Sequence, residues 1–118
     1  MRLDTARRFA LSLPEVTEEP HFDLSSWRVK GKIFCTIPPG GKLLHVHVEA
    51  GEVDALVAED PAAFEVIVWG KRTMTEWVRV HLPKAPAKHV QELLEDAWRQ
   101  RAPKRVLAAY DARRSLGS

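Results

Sequence analysis

Histidine, arginine and tryptophan recur at alternate positions in two short segments of the chain. His45 and His47 alternate in KLLHVHV (residues 42–48), and Trp77, Arg79 and His81 alternate in EWVRVHL (residues 76–82). Alternate residues of a β-strand project to the same side, so each set shares one strand face. Two histidines at this spacing could ligate a metal ion, but the sequence supplies no further ligand at motif spacing. We therefore predict no metal site here, and we interpret the set as an open aromatic and cationic face.

Basic residues also surround two glycines that can close hairpins. Arg28, Lys30 and Lys32 flank Gly31, and a second basic pair follows Gly70 in WGKRTMTEW (residues 69–77). Basic hairpin tips can lie along phosphates, and a tryptophan can stack on a base. The candidate nucleic-acid-binding residues are therefore Arg28, Lys30, Lys32, Lys71, Arg72, Trp77 and Arg79, and the candidate ligand-binding face adds His45, His47 and His81.

A simpler interpretation of the same residues is structural. Lysines at hairpin tips can keep the protein soluble and protect strand edges. On that interpretation Trp27, Trp69 and Trp98 pack in or beside the core, as large aromatic side chains usually do.

Nothing in the sequence predicts catalysis. The single cysteine, Cys35, lies between apolar neighbours and is expected to be buried and inert. Glu18 and Glu19 are adjacent, so they point apart, and the segment from Pro14 to Pro20 is interpreted as a solvated loop. We expect a binding protein rather than an enzyme, with no cofactor. One free thiol, and an N-terminus that resembles neither a signal peptide nor a membrane span, favour a cytoplasmic protein with no membrane partner.

Hydrophobic periodicity places these residues on secondary structure. A first helix is predicted from about Asp4 to Leu13, followed by a hairpin over 26–37, a strand over 42–48 and a short helix around 53–57. Strands over 66–69 and 76–82 are joined by a connection of six residues, 70–75. The longest helix follows Pro86, and Pro103 ends or kinks it before a short final helix.

The register of the first hairpin stays open at this point. A two-residue turn at Lys30-Gly31 would place Trp27 opposite Phe34. A three-residue turn would instead group Trp27 and Val29 with Ile33 and Cys35.

The element order α-βββ-α-ββ-α(α) predicts an α+β fold, a two-layer sandwich with an antiparallel sheet of about five strands and helices on one face. At 118 residues the chain suits a single domain, 1–118. The net charge of +2 favours no partner by itself, but 49–65 carries only acidic charges and 99–114 is mainly basic. The apolar side of the sheet is expected to carry Leu44, Val46, Val48, Val78, Val80 and Leu82.

Four segments, in this order and spacing, resemble the MmcQ/YjbR-like family of small bacterial proteins: ALSLPEVTEEPHF, SWRVKGKIFCTI, MTEWVRVHL and ELLEDAWRQRAPKRV. The resemblance covers nearly the whole chain, and it implies a frataxin-like (CyaY-like) α+β fold. It also implies DNA binding through a double-wing arrangement of hairpins. The segment from Gly31 to Phe34 matches the family's hairpin, and Trp77 matches the tryptophan that opens its last strand.

The chain departs from this family at one position and from frataxin at another. Where many members have an Asn- and Lys-rich run before the tryptophan, this chain has residues 71–76, KRTMTE, so its basic charge lies further from Trp77. The acidic first-helix ridge that frataxin uses for iron has no counterpart beside Arg7 and Arg8, so iron binding is not expected. The sequence thus predicts a nucleic-acid-binding module, with a protein- or small-ligand-binding module around Trp77 as the alternative.

Overall fold

A computed structural model of the protein describes residues 1–117. The elements follow in the order α1 (Leu3–Ser12), β1 (Val16–His21), β2 (Leu24–Val29), β3 (Lys32–Ile37), β4 (Leu43–His47), α2 (Glu52–Glu59), β5 (Phe64–Trp69), β6 (Arg72–His81), α3 (Ala87–Arg101) and α4 (Lys104–Gly117). The six strands form one sheet in the order β1-β2-β3-β4-β6-β5, and all neighbouring strands are antiparallel. The predicted α+β class is confirmed, with six strands rather than about five.

Helices cover the apolar side of the sheet, as predicted. The alternating residues of β4 and β6 and those that directly follow these strands are at most 1% exposed: Leu44, Val46, Val48, Val78, Val80 and Leu82. They form one core with the inner stripe of α3, which includes Val90, Leu94 and Trp98. Burial of these aliphatic and aromatic side chains is the main contribution to the stability of the fold.

The segment predicted as an acidic loop is in fact the edge strand β1. It pairs with β2 from Val16↔Val29 to His21↔Leu24. Pro20 is tolerated there because an edge strand is hydrogen bonded on one side only. Glu18 is anchored as well, since its carboxylate accepts hydrogen bonds from Arg7, Ser25 and Trp27.

A bulge resolves the register of the first hairpin. Lys30 and Gly31, with φ of 50° and 81°, form the two-residue turn, so Val29 pairs with Lys32. The register then shifts between Trp27 and Arg28, and Trp27 lies opposite Cys35 instead of Phe34. Neither predicted register holds throughout. The turn has two residues, as in the first alternative, but Trp27 lies opposite Cys35, as in the second.

The connection after Trp69 was also predicted wrongly. Trp69 pairs with Arg72, so the turn is the two residues Gly70 and Lys71 rather than six. Gly70 has a φ of 63°, which a turn of this kind accepts at its first central position. β6 consequently begins at Arg72, and its first residues continue the hairpin away from the body of the sheet.

Two basic tips lie at the same end of the sheet. Since neighbouring strands are antiparallel, β2, β4 and β5 all run in the same direction and finish at the same end of the sheet. The turn at Lys30-Gly31 and the turn at Gly70-Lys71 therefore project from that end of the sheet, which we call the tip end. The carboxyl end of α3 also lies there, because Gln100 contacts His47 at the end of β4. In residues 1–117 no helix is both long and apolar enough to cross a membrane.

Candidate functional site

The predicted ligand-face residues share one side of the sheet. His45 pairs with Arg79, His47 with Trp77 and Leu43 with His81 in the β4–β6 register. The polar row continues outward, because Arg79 also pairs with Glu65 of β5 and His45 with Thr36 of β3. All five ligand-face residues are half-buried rather than fully exposed: His45, His47, Trp77, Arg79 and His81.

The charges on this open face are largely paired with one another. Arg79 donates from Nε to Nε2 of His45 at 3.2 Å, and its Nη1 lies 3.4 Å from a carboxylate oxygen of Glu65. Nε2 of His81 lies 2.8 Å from the other oxygen of the same carboxylate. Burial and the neighbouring Arg79 lower the pKa of His45 to about 4, against the opposing effect of Glu65. His45 is therefore neutral at pH 7 and accepts from Arg79.

Arg28 is similarly engaged within its own hairpin. Its guanidinium donates to Oγ of Ser26 at 3.0 Å and to the carbonyl oxygen of Pro20 at 2.9 Å. These bonds hold the side chain along the sheet and use part of its donor capacity. Arg28 and Arg79 are thus built into the face: Glu65 offsets the charge of Arg79, whereas Arg28 keeps its charge but has fewer free donors than the sequence suggested.

The hairpin of β5 and β6 extends past the rest of the sheet as an arm, residues 68–75. Toward the tip end, β6 makes its last hydrogen bond to the neighbouring chain just after β4, where the amide of Val48 donates to the carbonyl oxygen of Glu76. Beyond it, Trp69 is 77% exposed and Val68 is 59% exposed, so the prediction that Trp69 is packed is wrong. The arm reaches past the helices that cover the core, which leaves its apolar side chains in solvent.

Free positive charge is found at the turn of this arm. Lys71 and Arg72 are both exposed, and neither has an ion-pair or hydrogen-bonding side chain among residues 1–117. Arg72 pairs with the exposed Trp69 across the turn, and Lys71 lies in the turn itself. A cationic pair and an uncovered aromatic ring thus occupy one hairpin turn.

The second tip is shorter and partly neutralised. Nζ of Lys30 lies 3.6 Å from a carboxylate oxygen of Glu15, whereas Lys32 is exposed and has no such partner in the described part of the chain. Lys30 and Lys32 therefore add positive charge on the other side of β4.

Between the two tips lies a group that the sequence did not bring together. The Nδ1 of His47 is 2.6 Å from Oε1 of Gln100, and the His47 ring packs edge-on against Trp77 with centroids 5.1 Å apart. Burial lowers the pKa of His47; Arg101 adds to this, while Gln100 and Glu76 oppose it. Gln100 and Arg101 were not predicted as site residues, and the basic charge of 99–114 was the only signal for them.

Other kinds of site find less support. Cys35 is fully buried, and burial raises the pKa of its thiol well above the usual value, so it is a poor nucleophile in the folded protein. Over residues 1–117, no three His, Cys, Asp or Glu side chains are grouped so that they could hold a metal ion. A cavity of about 550 Å³ lies at the opposite end of the sheet, beside Met1 and Pro83, and includes none of the predicted site residues.

The fold and site together define a class: a small α+β protein whose antiparallel sheet is open on one face and carries two basic hairpins at one end. The chain belongs to the YjbR family, whose sequence model matches residues 11–100. Among curated proteins, none matches the chain in sequence.

Solved structures with a similar fold include the following one. It is Deinococcus radiodurans protein DR2400, of the domain family DUF419, with a TM-score of 0.68 and 22% identity over 81% of this chain and 75% of that one. At this identity the likeness shows the fold alone. All of α4 lies outside the residues that match the YjbR family.

Proposed function

We propose that this protein binds nucleic acid through the tip end of its sheet. The observation that carries the proposal is the turn of the arm, where the 77% exposed Trp69 stands beside Lys71 and Arg72. A base stacked on an aromatic side chain contributes about 1–3 kcal/mol, and cations beside it can contact the adjoining phosphates. The proposed activity is binding without catalysis, and the free thiol of Cys35 favours a cytoplasmic setting.

The spacing of the two tips suits a polymer. Their centres are separated by three strand positions in the sheet order, or ~14 Å at about 4.8 Å for each spacing. That distance corresponds to about four nucleotides along one strand of a duplex. Lys30 and Lys32 could therefore contact one phosphate group while Lys71 and Arg72 contact another on the same molecule.

The structure shifts the emphasis among the candidate residues. Arg79 and Arg28 already donate to protein groups, so they are better suited to shape the open face than to hold phosphates. Lys71 and Arg72 carry more of the expected electrostatic contribution, together with Lys32. Trp69 replaces Trp77 as the primary stacking residue, because Trp77 packs against His47.

A second candidate function is the recognition of a protein or small ligand by the open face. It is favoured by the uncovered polar row His45–Arg79–Glu65 and by the His47–Trp77 pair at its end. The two functions depend on different tryptophans. Trp77→Ala would abolish face binding, whereas Trp69→Ala would weaken nucleic-acid binding.

Fluorescence anisotropy with short labelled single-stranded and duplex DNA, measured over a range of salt concentrations, tests the proposal. We expect the wild type to bind more weakly as the salt concentration rises. In a plot of log K against log salt concentration, the slope for Lys71→Ala/Arg72→Ala should be smaller in magnitude by about 1 for each phosphate that the variant no longer neutralises. The matched control is Lys84→Ala/Lys88→Ala, which removes two exposed cations at the opposite end of the sheet. Absence of saturable binding by the wild type at low salt, or equally weakened binding in both double variants, would contradict it.

A further inference from the structure

Arg101 has a donor with no acceptor. The Nε atom of its guanidinium is buried and makes no hydrogen bond to any residue in 1–117, and no carboxylate of that part of the chain forms an ion pair with it. A buried N–H without an acceptor costs about 1–3 kcal/mol, so such groups usually have a partner, which can be a water molecule or an ion. Guanidinium groups bind phosphate and carboxylate oxygens with particular strength.

The surroundings of Arg101 are organised around His47. Gln100, the preceding residue, is hydrogen bonded to the His47 ring, and Trp77 packs against that ring from β6. The charge of Arg101 is close enough to contribute to the lowered pKa of His47. β3 and β4 pair only at Cys35↔Val46 and Thr36↔His45, so the two strands are no longer paired where His47 ends β4. This corner lies between the two basic tips.

We propose that Arg101, beside His47, binds one phosphate group of a nucleic-acid strand that lies across the tip end. Because Nε itself is closed off from solvent, the phosphate would contact the two terminal nitrogens of the guanidinium, which are not buried and have no acceptor among residues 1–117. The inference rests on the proposed function for the identity of the polymer, and on Arg101 for the chemistry of the site. It adds a central contact to the two tips, so that three points hold the strand.

His47 couples this site to pH. In the free protein its neutral ring donates from Nδ1 to Gln100, which leaves Nε2 as an acceptor. A bound phosphate favours protonation of Nε2, which then becomes a second donor. The charged groups that act on His47 are Arg101 of α3, which opposes protonation, and Glu76 of β6, which favours it. Phosphate binding should therefore be tighter near pH 6 than near pH 8.

Glu76 supplies an independent variant, because its exposed carboxylate acts on the same corner from β6. Its negative charge opposes a second anion there, although it also favours a protonated His47. At pH 8, where His47 is neutral, only the repulsion matters. Glu76→Gln is thus expected to tighten anion binding at pH 8, and the substitution lies on the surface, where it does not threaten the fold.

DNA anisotropy with Arg101→Gln tests the site, and Arg105→Gln, which removes an exposed cation at the start of α4, is its matched control. We expect Arg101→Gln to weaken DNA binding about tenfold and to lower the salt slope by about 1. Arg105→Gln should have a smaller effect, and Glu76→Gln should tighten binding at pH 8. Thermal unfolding of each variant separates weaker binding from a smaller folded fraction.

Titration with inorganic phosphate, followed by the NMR signals of the His47 ring, separates this site from the proposed function. A saturable shift that Arg101→Gln removes supports the site, even if DNA does not bind. If the wild type binds DNA and Arg101→Gln binds it with the same affinity and the same salt dependence, the site is overturned and the proposed function stands. The site would also be overturned if inorganic phosphate did not shift the His47 signals and Glu76→Gln did not change the DNA affinity at pH 8.

Discussion

The indole Nε1 of Trp27 donates a hydrogen bond of 2.9 Å to the carboxylate of Glu18, and this bond ties the edge strand to the centre of the core. Trp27 is fully buried, whereas Glu18 is partly exposed and also accepts from Arg7 of α1 at 2.8 Å. One carboxylate therefore joins the first helix, the edge strand and the core. Burial raises the pKa of Glu18, but the bonds from Arg7, Trp27 and Ser25 together lower it by more, so the side chain is ionised at pH 7.

Replacing Glu18 by alanine should destabilise the protein by about 1–3 kcal/mol, because the buried indole N–H of Trp27 loses its acceptor. Urea unfolding measures the change. Glu19→Ala is the control, since the Glu19 side chain is exposed and, within residues 1–117, accepts only from nearby Thr17. A destabilisation no larger than that of Glu19→Ala would show that the network does not contribute to stability.

The lowered pKa of His45 predicts lower stability in mild acid. The unfolded chain takes up a proton near pH 6.5, whereas the folded protein holds His45 neutral down to about pH 4. Stability from this group is therefore complete above pH 6.5 and is lost as the pH falls toward 4. His45→Gln keeps an acceptor for Arg79 but does not titrate, so its unfolding free energy should change less over this range. Parallel pH profiles of the two proteins would count against the assignment.

The turn of the first hairpin offers a stabilising and a destabilising substitution at adjacent positions. Lys30 and Gly31 both have positive φ, and Asn-Gly is the preferred pair for such a turn. Lys30→Asn should stabilise the protein by about 0.5 kcal/mol, while Gly31→Ala should destabilise it by about 1–2 kcal/mol. No atom outside the neighbouring residues lies within 4 Å of a Cβ added at Gly31, so the cost would be conformational rather than steric. Urea unfolding of both variants checks the opposite signs.

The alternation of β4 and β6 carried most of the information that the sequence held about the fold. It predicted which side of Val46 and Val78 is buried and which residues share the open face, because period-two patterns report directly on strand faces. β1 was missed because an edge strand needs few apolar residues, and Glu18 contacts the core through hydrogen bonds instead. The bulge beside Trp27 was missed because it depends on packing, not on turn length.

The candidate site could be predicted only in part. The basic residues of both turns are visible as residue types next to glycines, but their position at one end of the sheet follows from strand order. Trp69 was assigned to the core because it ends an apolar strand, and the sequence does not show that this strand extends past the helices. Arg101 is distant from His47 in sequence, so only the tertiary structure joins them.

The exposure of Trp69 predicts a specific fluorescence response. Trp27 and Trp98 are fully buried and Trp77 is half-buried, whereas Trp69 is 77% exposed. Acrylamide should therefore quench mainly the emission of Trp69, and Trp69→Phe should remove most of the quenchable signal.

The same substitution should leave the free energy of unfolding within about 0.5 kcal/mol of the wild type, because an exposed side chain contributes little packing. Trp77→Phe is the control, since Trp77 packs against His47 and should contribute less to quenching. Single-stranded DNA should protect the Trp69 signal from acrylamide if bases stack on this ring. A wild type whose emission resists acrylamide without DNA would mean that Trp69 is covered in solution, and the arm would then be a contact surface for protein.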